Sequence, residues 1–307
     1  MALQRILVTG GNKGIGLAIV KSLLARGDVE AVLCARDARN GEEALRAILA
    51  ENPAYAGRIS YQSLDVCSEE SVAAAADAVR TSGGSLYAIV NNAGIATGAP
   101  AELVATNLFG VKSVCDAFAG LIQEGGRVIN ISSGSAVMFL EKASEGKKAL
   151  FTAQDLSWQT IEDQVDVFLQ LLGGPNGAEA CESAGFGKEG DMYAYGFSKC
   201  ALNAYTISLA RELAPRRITV NACSPGLIKT DLFIPMAAAR GQTLDELAVA
   251  FNALPVEKST VSTLRLLFTP QADIGTGKYF GSDGLRSPMA KYRRPGDPEY
   301  DGVAHGH

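Results

Sequence analysis

Short segments that are apolar throughout alternate along this chain with longer segments whose apolar residues recur every three or four positions. That alternation constrains the fold more than any other feature of the sequence. Residues 5–9 read as a buried strand, and 15–25, with Ile15, Ile19, Leu23 and Leu24 on one face, as a helix. The pattern continues through strand 31–35, helix 42–50, strand 58–63, helix 69–79, strand 86–90, a helix near 103–118 and strand 127–131. After an interruption come helix 194–213, strand 218–222 and a last short strand, 278–280. Strands and helices in this order form right-handed βαβ units, and strands apolar on both sides belong to a parallel sheet covered on both faces. The expected class is α/β, a doubly wound parallel sheet forming a single domain over residues 1–286.

Two regions break the rhythm. In the first, 137–191, Trp158, Ile161, Val165, Phe168, Leu169 and Leu172 recur at helical spacing. Thr160 with Asp163 resembles a capping box at the start of that helix, and the run from Gly173 to Gly177 stops it. This stretch reads as an insertion carrying one amphipathic helix. The second region, 227–258, has its own capping pattern in Thr243 and Glu246. From 287 to 307 the chain is rich in Pro, Gly and charge and reads as a tail.

Composition removes several function classes. A formal net charge of −5 offers no basic footprint for nucleic acid or anionic membrane. No apolar run approaches the roughly 18–20 residues of a membrane span. The strand-like run at Arg5 begins too early to leave room for a signal peptide, so the cytoplasm is the expected compartment. None of the six cysteines forms a CxxC pair, and most sit in apolar segments. Cys181, in a polar stretch, is the expected exposed thiol. The two histidines, His305 and His307, fall in the last three residues. A Ser/His/Asp site and a histidine-ligated metal are therefore not expected, and proton chemistry must rest on carboxylates, Tyr, Lys or Ser.

Between the first strand and its helix lies Thr9-Gly10-Gly11-Asn12-Lys13-Gly14-Ile15-Gly16. Glycines at Gly10, Gly14 and Gly16 permit a tight turn and let backbone N–H groups approach a pyrophosphate at a helix N-terminus. At the end of the second strand, where NAD-binding chains place an acid, stands Ala35-Arg36-Asp37. Arg36, with Lys13 reaching from the glycine loop, favours the 2′-phosphate of NADP(H). Asp37 could instead hydrogen-bond a ribose. Tyr195 and Lys199 are four residues apart on a helix and share a face. A neighbouring ammonium would bring a phenol's pKa down toward neutral pH. Tyr193 has Phe197 at the equivalent spacing and lacks such a lysine.

Taken together, these motifs resemble the short-chain dehydrogenase/reductase family, over nearly the whole chain up to about Gly284. The resemblance adds Asn91-Asn92-Ala93-Gly94, Thr106-Asn107, Asn130-Ile131-Ser132-Ser133, and Pro225-Gly226 with Thr230 beyond. It implies a Rossmann-like fold with a helical insertion before the catalytic Tyr. It further implies that Tyr195 gives a proton to a carbonyl oxygen, Lys199 lowers its pKa and holds the nicotinamide ribose, and Asn107 holds a relay water. Ser133 would bind the substrate oxygen, with Ser132 as the alternative. By the same resemblance Gly10, Asn12, Lys13, Gly14, Ile15, Gly16 and Arg36 hold the phosphates. Asp65 and Val66 bracket adenine, and Asn92, Ala93 and Gly94 line the cleft, with a tie between strands as the alternative for Asn92. Pro225, Gly226, Ile228 and Thr230 sit at the nicotinamide end.

Within the family the chain looks like the carbonyl-reductase branch. Its glycine loop, Ala35-Arg36-Asp37 and the stretch before Tyr195 match that branch. That stretch far exceeds the roughly dozen residues of shorter members. There it covers the helix face that others use to oligomerise, which implies a monomer. The expectation is NADPH-dependent reduction of a ketone or aldehyde with no metal, nucleic-acid or membrane partner. An idle NADPH-binding regulator and an alcohol dehydrogenase working oxidatively are the alternatives. Met138, Phe139, Trp158, Phe233, Ile234 and Met236 are the expected apolar substrate walls.

Overall fold

The computed structural model describes residues 3–190, 192–250 and 253–303. Its strands are β1 (Gln4–Val8), β2 (Val29–Ala35), β3 (Ile59–Ser63), β4 (Leu86–Asn91), β5 (Ile122–Ile131), β6 (Thr219–Cys223), β7 (Lys278–Phe280) and β8 (Arg286–Ser287). They form one sheet in the order β3-β2-β1-β4-β5-β6-β7-β8. Neighbours from β3 to β7 run parallel, and β8 is antiparallel to β7. The expected doubly wound sheet is present. The antiparallel edge strand was not foreseen, because two residues carry no periodicity.

The helices in chain order are α1 (Gly14–Ala25), α2 (Ala38–Glu51), α3 (Glu69–Thr81), α4 (Pro100–Val104), α5 (Gly110–Phe118), α6 (Gly134–Glu141), α7 (Glu145–Phe151), α8 (Trp158–Leu172), α9 (Gly177–Cys181), α10 (Tyr193–Leu213), α11 (Ile234–Ala239), α12 (Leu244–Ala250), α13 (Val261–Phe268) and α14 (Gln271–Ile274). A π-helical turn, Ala105–Phe109, joins α4 to α5.

Strand side chains alternate between two cores. Ile6, Val8, Leu33, Val90 and Ile129 pack with Ile19 and Leu23 of α1, Ile48 of α2 and Leu266 of α13. Leu7, Val32, Ile89 and Val128 face the opposite layer, with Val72 of α3, Val111 of α5 and Leu202 of α10. The first layer tolerates no side chain at position 16. A Cβ on Gly16 would lie 2.1 Å from the Gly10 carbonyl oxygen, so α1 approaches β1 as closely as a glycine allows.

Buried amides lock the sheet to α10. Asn91 Nδ2 donates to Asn130 Oδ1 at 2.9 Å, and Asn130 Nδ2 donates to Thr206 Oγ1 on α10 at 2.9 Å. The chain of donors satisfies both groups of the Asn130 amide in the core, while Asn91 Oδ1 stays buried without a partner among the described residues.

Three expectations need correction. The stretch 137–191 carries more than one helix: α8 is the amphipathic segment foreseen, and α6, α7 and α9 flank it. The N-cap of α8 is Ser157, whose Oγ accepts from Thr160 N at 3.1 Å, so the helix starts one turn earlier than the Thr160/Asp163 pattern suggested. The segment after Ser287 is folded through residue 303. Met289 and Tyr292 pack on Val137, Ala222 and Tyr279, and Arg293 pairs with Asp283. The Thr243/Glu246 box is present: Thr243 N donates to Glu246 Oε2 at 2.7 Å, and Glu246 N to Thr243 Oγ1 at 3.2 Å. His305 and His307 lie outside the described residues.

Candidate active site

β1 pairs with β2 on one side and β4 on the other, so the chain departs in opposite directions from its C-terminal end. Crevices of this kind, outside the carboxyl ends of parallel strands, are where open α/β sheets bind ligands. Gly10–Gly16, Asn92–Gly94, Ser132–Ser133 and Pro225–Thr230 follow β1, β4, β5 and β6 into this crevice.

On the cofactor side, Gly10 (φ 63°) and Gly14 (φ 52°) hold the left-handed conformations of the turn into α1. Thr230 lies over that turn: a Cβ on Gly14 would be 3.6 Å from Thr230 Cγ2. Thr230 Oγ1 is buried with no hydrogen-bond partner among the described residues. A buried hydroxyl left unsatisfied is costly, and a polar ligand in the crevice would satisfy it. The residues therefore fit a dinucleotide. Ile228 is buried and forms an isolated bridge with Leu254.

Arg36 is exposed just beyond β2. Asp37 spends its carboxylate on the N-cap of α2, accepting from Asn40 N at 2.8 Å. It thus has a structural task that the ribose reading overlooked. Lys13 lies 3.7 Å from Asp231 in an exposed ion pair. Asp65 Oδ1 accepts from Cys67 N at 3.0 Å, and Val66 is buried. Asn92 ties strands together, its Nδ2 donating to the Thr9 and Gly10 carbonyls at 2.9 and 3.1 Å.

The candidate reacting groups converge from three elements. Tyr195 and Lys199 sit one turn apart near the start of α10, both buried. The Ser133 side chain lies beside the Tyr195 hydroxyl, near enough to pull its pKa down. Ser133 is the N-cap of α6, its Oγ accepting from Ser135 N at 3.1 Å. Ser132 turns into the core toward the Lys199 carbonyl at 3.5 Å, so the structure places Ser133 at the phenol. Lys199 Nζ donates to the Ile131 carbonyl at 2.9 Å. Asn107 stands in the π turn, a distortion that recurs at functional sites. Its Oδ1 accepts from Ile95 N at 3.0 Å, and its Nδ2 donates to the Ile95 carbonyl and Ser198 Oγ at 2.9 and 3.0 Å. A Cβ on Gly94 would sit 2.9 Å from Asn107 Oδ1 and 3.4 Å from Lys199 Nζ, so all three meet at one point.

Burial sets the electrostatics. It pushes the Tyr195 phenol up, and the Ser133 side chain pulls it partly back. Lys199 does not bring the phenol below its ordinary value, contrary to the expectation from spacing. Burial lowers Lys199 to about 8. Tyr193 is held elsewhere: its hydroxyl donates to the Gly187 carbonyl at 3.1 Å, pinning the end of the insertion to α10.

A cavity of about 450 Å³ opens beside Tyr195, lined in part by Ala96, Pro100, Leu103, Leu172 and Met192, with Glu189 also in its wall. These are not the residues expected. Phe139 is committed to a core of rings with Phe168, Tyr193 and Phe197. Trp158 packs edge-on against Phe109 and Tyr205. Met138 and Ile234 are exposed and absent from this lining, as is Phe233, and the side chain of Met236 lies outside the described set. The missed residues flank motifs that were read: Ala96 follows Asn91–Gly94, and Met192 precedes Tyr195. The exposed thiol is Cys67; Cys181 is buried, because α9 turns it inward against Phe168.

Residues 4–145 match a family model described as short chain dehydrogenase, and 182–284 match one described as enoyl-(acyl carrier protein) reductase. The chain is 34% identical over 265 residues to carbonyl reductase [NADPH] 1 of Homo sapiens, covering 81% of this chain and 90% of the relative. The chain belongs to the short-chain dehydrogenase/reductase family. Another member, carbonyl reductase [NADPH] 3 of Rattus norvegicus, is 34% identical over 239 residues, 74% of this chain and 82% of its own length. Among solved structures of similar fold, menthone neomenthol reductase from Mentha piperita superposes with a TM-score of 0.71 at 23% identity, covering 92% of this chain and all (100%) of that one. NADPH-bound carbonyl reductase from chicken fatty liver gives 0.63 at 24% identity, with 94% and 99% covered. As expected, then, the sequence relatives of this short-chain dehydrogenase/reductase include carbonyl reductases.

Proposed function

We propose that this chain is an NADPH-dependent reductase of ketone or aldehyde carbonyls, with Tyr195 as the proton donor. Relatives named for NADPH-dependent carbonyl reduction support the cofactor and the reaction class. The observation that carries the mechanism is a buried phenol beside Ser133 at the wall of a cavity, one helical turn from a buried lysine. When bound, NADPH would supply the hydride. Arg36 and Lys13 would hold its 2′-phosphate, the glycine loop its pyrophosphate, and Asp65 with Val66 its adenine. Asn12, Ile15, Ala93, Pro225, Gly226, Ile228 and Thr230 would complete the cleft.

Ser133 orients the carbonyl oxygen toward the phenol. Tyr195 passes its proton to that oxygen as the alkoxide charge develops, and donors already in place there cost no reorganisation. A phenol kept protonated by burial is in the state that a donor needs. Lys199, charged below about pH 8, stabilises the phenolate left behind, and Asn107 fixes the backbone at Ile95 beside it. The chain's own part is to bind, to orient and to supply the proton.

The test is an absorbance assay of NADPH consumption against a panel of apolar ketones and aldehydes, with Tyr195→Phe in parallel. Carbonyl-dependent turnover, lost in the variant while NADPH binding persists, is the expected result. Tighter NADH than NADPH binding would overturn the cofactor assignment, and unimpaired Tyr195→Phe the mechanism.

A further inference from the structure

We infer that the C-terminal segment 287–300 is a strap that clamps the first turn of α6 against α10, with Tyr292 as a positioning residue for Ser133. This rests on the role given to Ser133 above. Ser133 is held by α6, so its reach to Tyr195 depends on where the first turn of α6 sits.

One side of that turn is fixed by α10. A Cβ on Gly196 would lie 3.0 Å from the Ser135 carbonyl oxygen and 3.1 Å from Phe139 Cβ, so the two helices touch backbone to backbone immediately after Tyr195. The other side is fixed by the strap. A Cβ on Gly134, the residue after Ser133, would lie 3.2 Å from Tyr292 Cε2, so the Tyr292 ring rests on the turn itself. The ring continues into a small apolar cluster with Met289, Val137 of α6, Ala222 of β6 and Tyr279 of β7.

The strap is firmly anchored. Arg293, its side chain 6% exposed, pairs with Asp283. Its guanidinium also donates to Ser287 Oγ at 2.9 Å and to the Asp297 carbonyl at 2.6 Å. Asp283 Oδ2 accepts from Gly296 N at 3.0 Å, and Tyr300 N donates to the Arg286 carbonyl at 3.0 Å. A guanidinium with its donors satisfied and its charge paired is a fixed point for the chain around it. Tyr292, the residue before it, inherits that rigidity. With α10 on one side and the strap on the other, the Ser133 turn has no freedom to retreat from Tyr195.

The experiment compares Tyr292→Ala, Tyr292→Phe, Ser133→Ala and the double variant Ser133→Ala/Tyr292→Ala in steady-state carbonyl reduction, with NADPH binding measured on each. A positioning role predicts that Tyr292→Ala lowers kcat about tenfold while KM and NADPH affinity change less than about threefold. Tyr292→Phe, which keeps the ring, restores kcat. In the Ser133→Ala background Tyr292→Ala costs little more, because the group it positions is gone. Full kcat in Tyr292→Ala, or a loss that multiplies with that of Ser133→Ala, would overturn the inference. If Ser133→Ala itself keeps full turnover, the reading of Ser133 fails instead, and the two failures are distinct. Should Tyr292→Ala not bind NADPH, Tyr292→Leu makes the same comparison, keeping apolar bulk in the cluster while taking the ring off Gly134, and wild-type kcat there overturns the inference.

Discussion

Burial of Lys199 has two consequences of opposite sign. Catalysis as proposed needs the ammonium, and burial lowers its pKa to about 8. The charged form is present below that value and is lost above it. Reduction is therefore expected to slow as pH rises through about 8, measured as kcat at saturating NADPH; a flat profile from 7 to 9 would contradict it. Stability runs the other way. The unfolded lysine titrates near ~10.4, so between about 8 and that value the unfolded chain binds more protons than the folded one. Stability gains from this residue on raising pH through that window, and a buried charge costs stability below it. Lys199→Met should accordingly raise the apo-protein's stability at pH 7 by about 1–3 kcal/mol while abolishing turnover. Thermal denaturation beside the NADPH assay checks both halves. Tyr195→Phe isolates the proton donor, with an expected loss of about 10²–10⁴-fold in kcat. At this scale the sequence was informative about residue types and, apart from the strand tie open to Asn92, silent about their second tasks. Spacing placed Tyr195 and Lys199 on one face, but whether the ammonium or burial dominates the phenol depends on packing from Ile95, Ala96, Leu103 of α4 and Leu232. Asp37 and Asn92 carried signals of cofactor contact, and their hydrogen bonds lie with α2 and the Thr9–Gly10 turn.

Elements with strong periodicity were legible, and the reason is physical. Residues 6–8 of β1, 31–35 of β2 and 88–90 of β4 are apolar on both faces because both layers cover them, and short apolar runs bounded by turns signal such strands. α1 and α10 were legible from the same logic. What escaped were elements held by tertiary contacts: α6 and α7, β8, and the strap, where a buried Arg293–Asp283 pair rather than apolar spacing fixes the chain. The first helix makes the most demanding use of its sequence. Because a Cβ on Gly16 would lie 2.1 Å from the Gly10 carbonyl and 2.5 Å from Asn92 Nδ2, Gly16→Ala must push α1 off the sheet. The expected cost is more than about 2 kcal/mol in denaturant unfolding, typical of overpacking. NADPH affinity should fall at least tenfold, since the displaced turn is the one that cradles the phosphates. An alanine variant with wild-type stability and affinity would show that the contact relaxes cheaply.

For the whole molecule, the insertion decides what surface remains for a second copy. α8 lies against the face built by the π turn, α5 and α10. Trp158 at its start meets Phe109 and Tyr205 edge-on at 5.7 and 5.4 Å, and Ile161, Val165 and Phe168 are fully buried along its inner side. The resemblance to shorter members implies that this same face is where they associate. Here the chain covers it with its own residues, so its apolar area is already removed from water and offers no gain on dimerisation. A monomer is the expected state in light scattering at micromolar concentration, with a dimer or tetramer as the contrary result. The stronger test alters the cover. Ile161→Asp puts an unpaired carboxylate under α8, where burying it costs several kcal/mol, so the helix should detach and expose Phe109, Tyr205 and their neighbours. If the cover is what keeps the chain single, this variant self-associates in a concentration-dependent way while the wild type does not. A variant that remains monomeric with α8 released, read by protease cleavage between residues 152 and 177, would mean that the α5/α10 face of this chain has no affinity for itself and that the insertion serves the site alone.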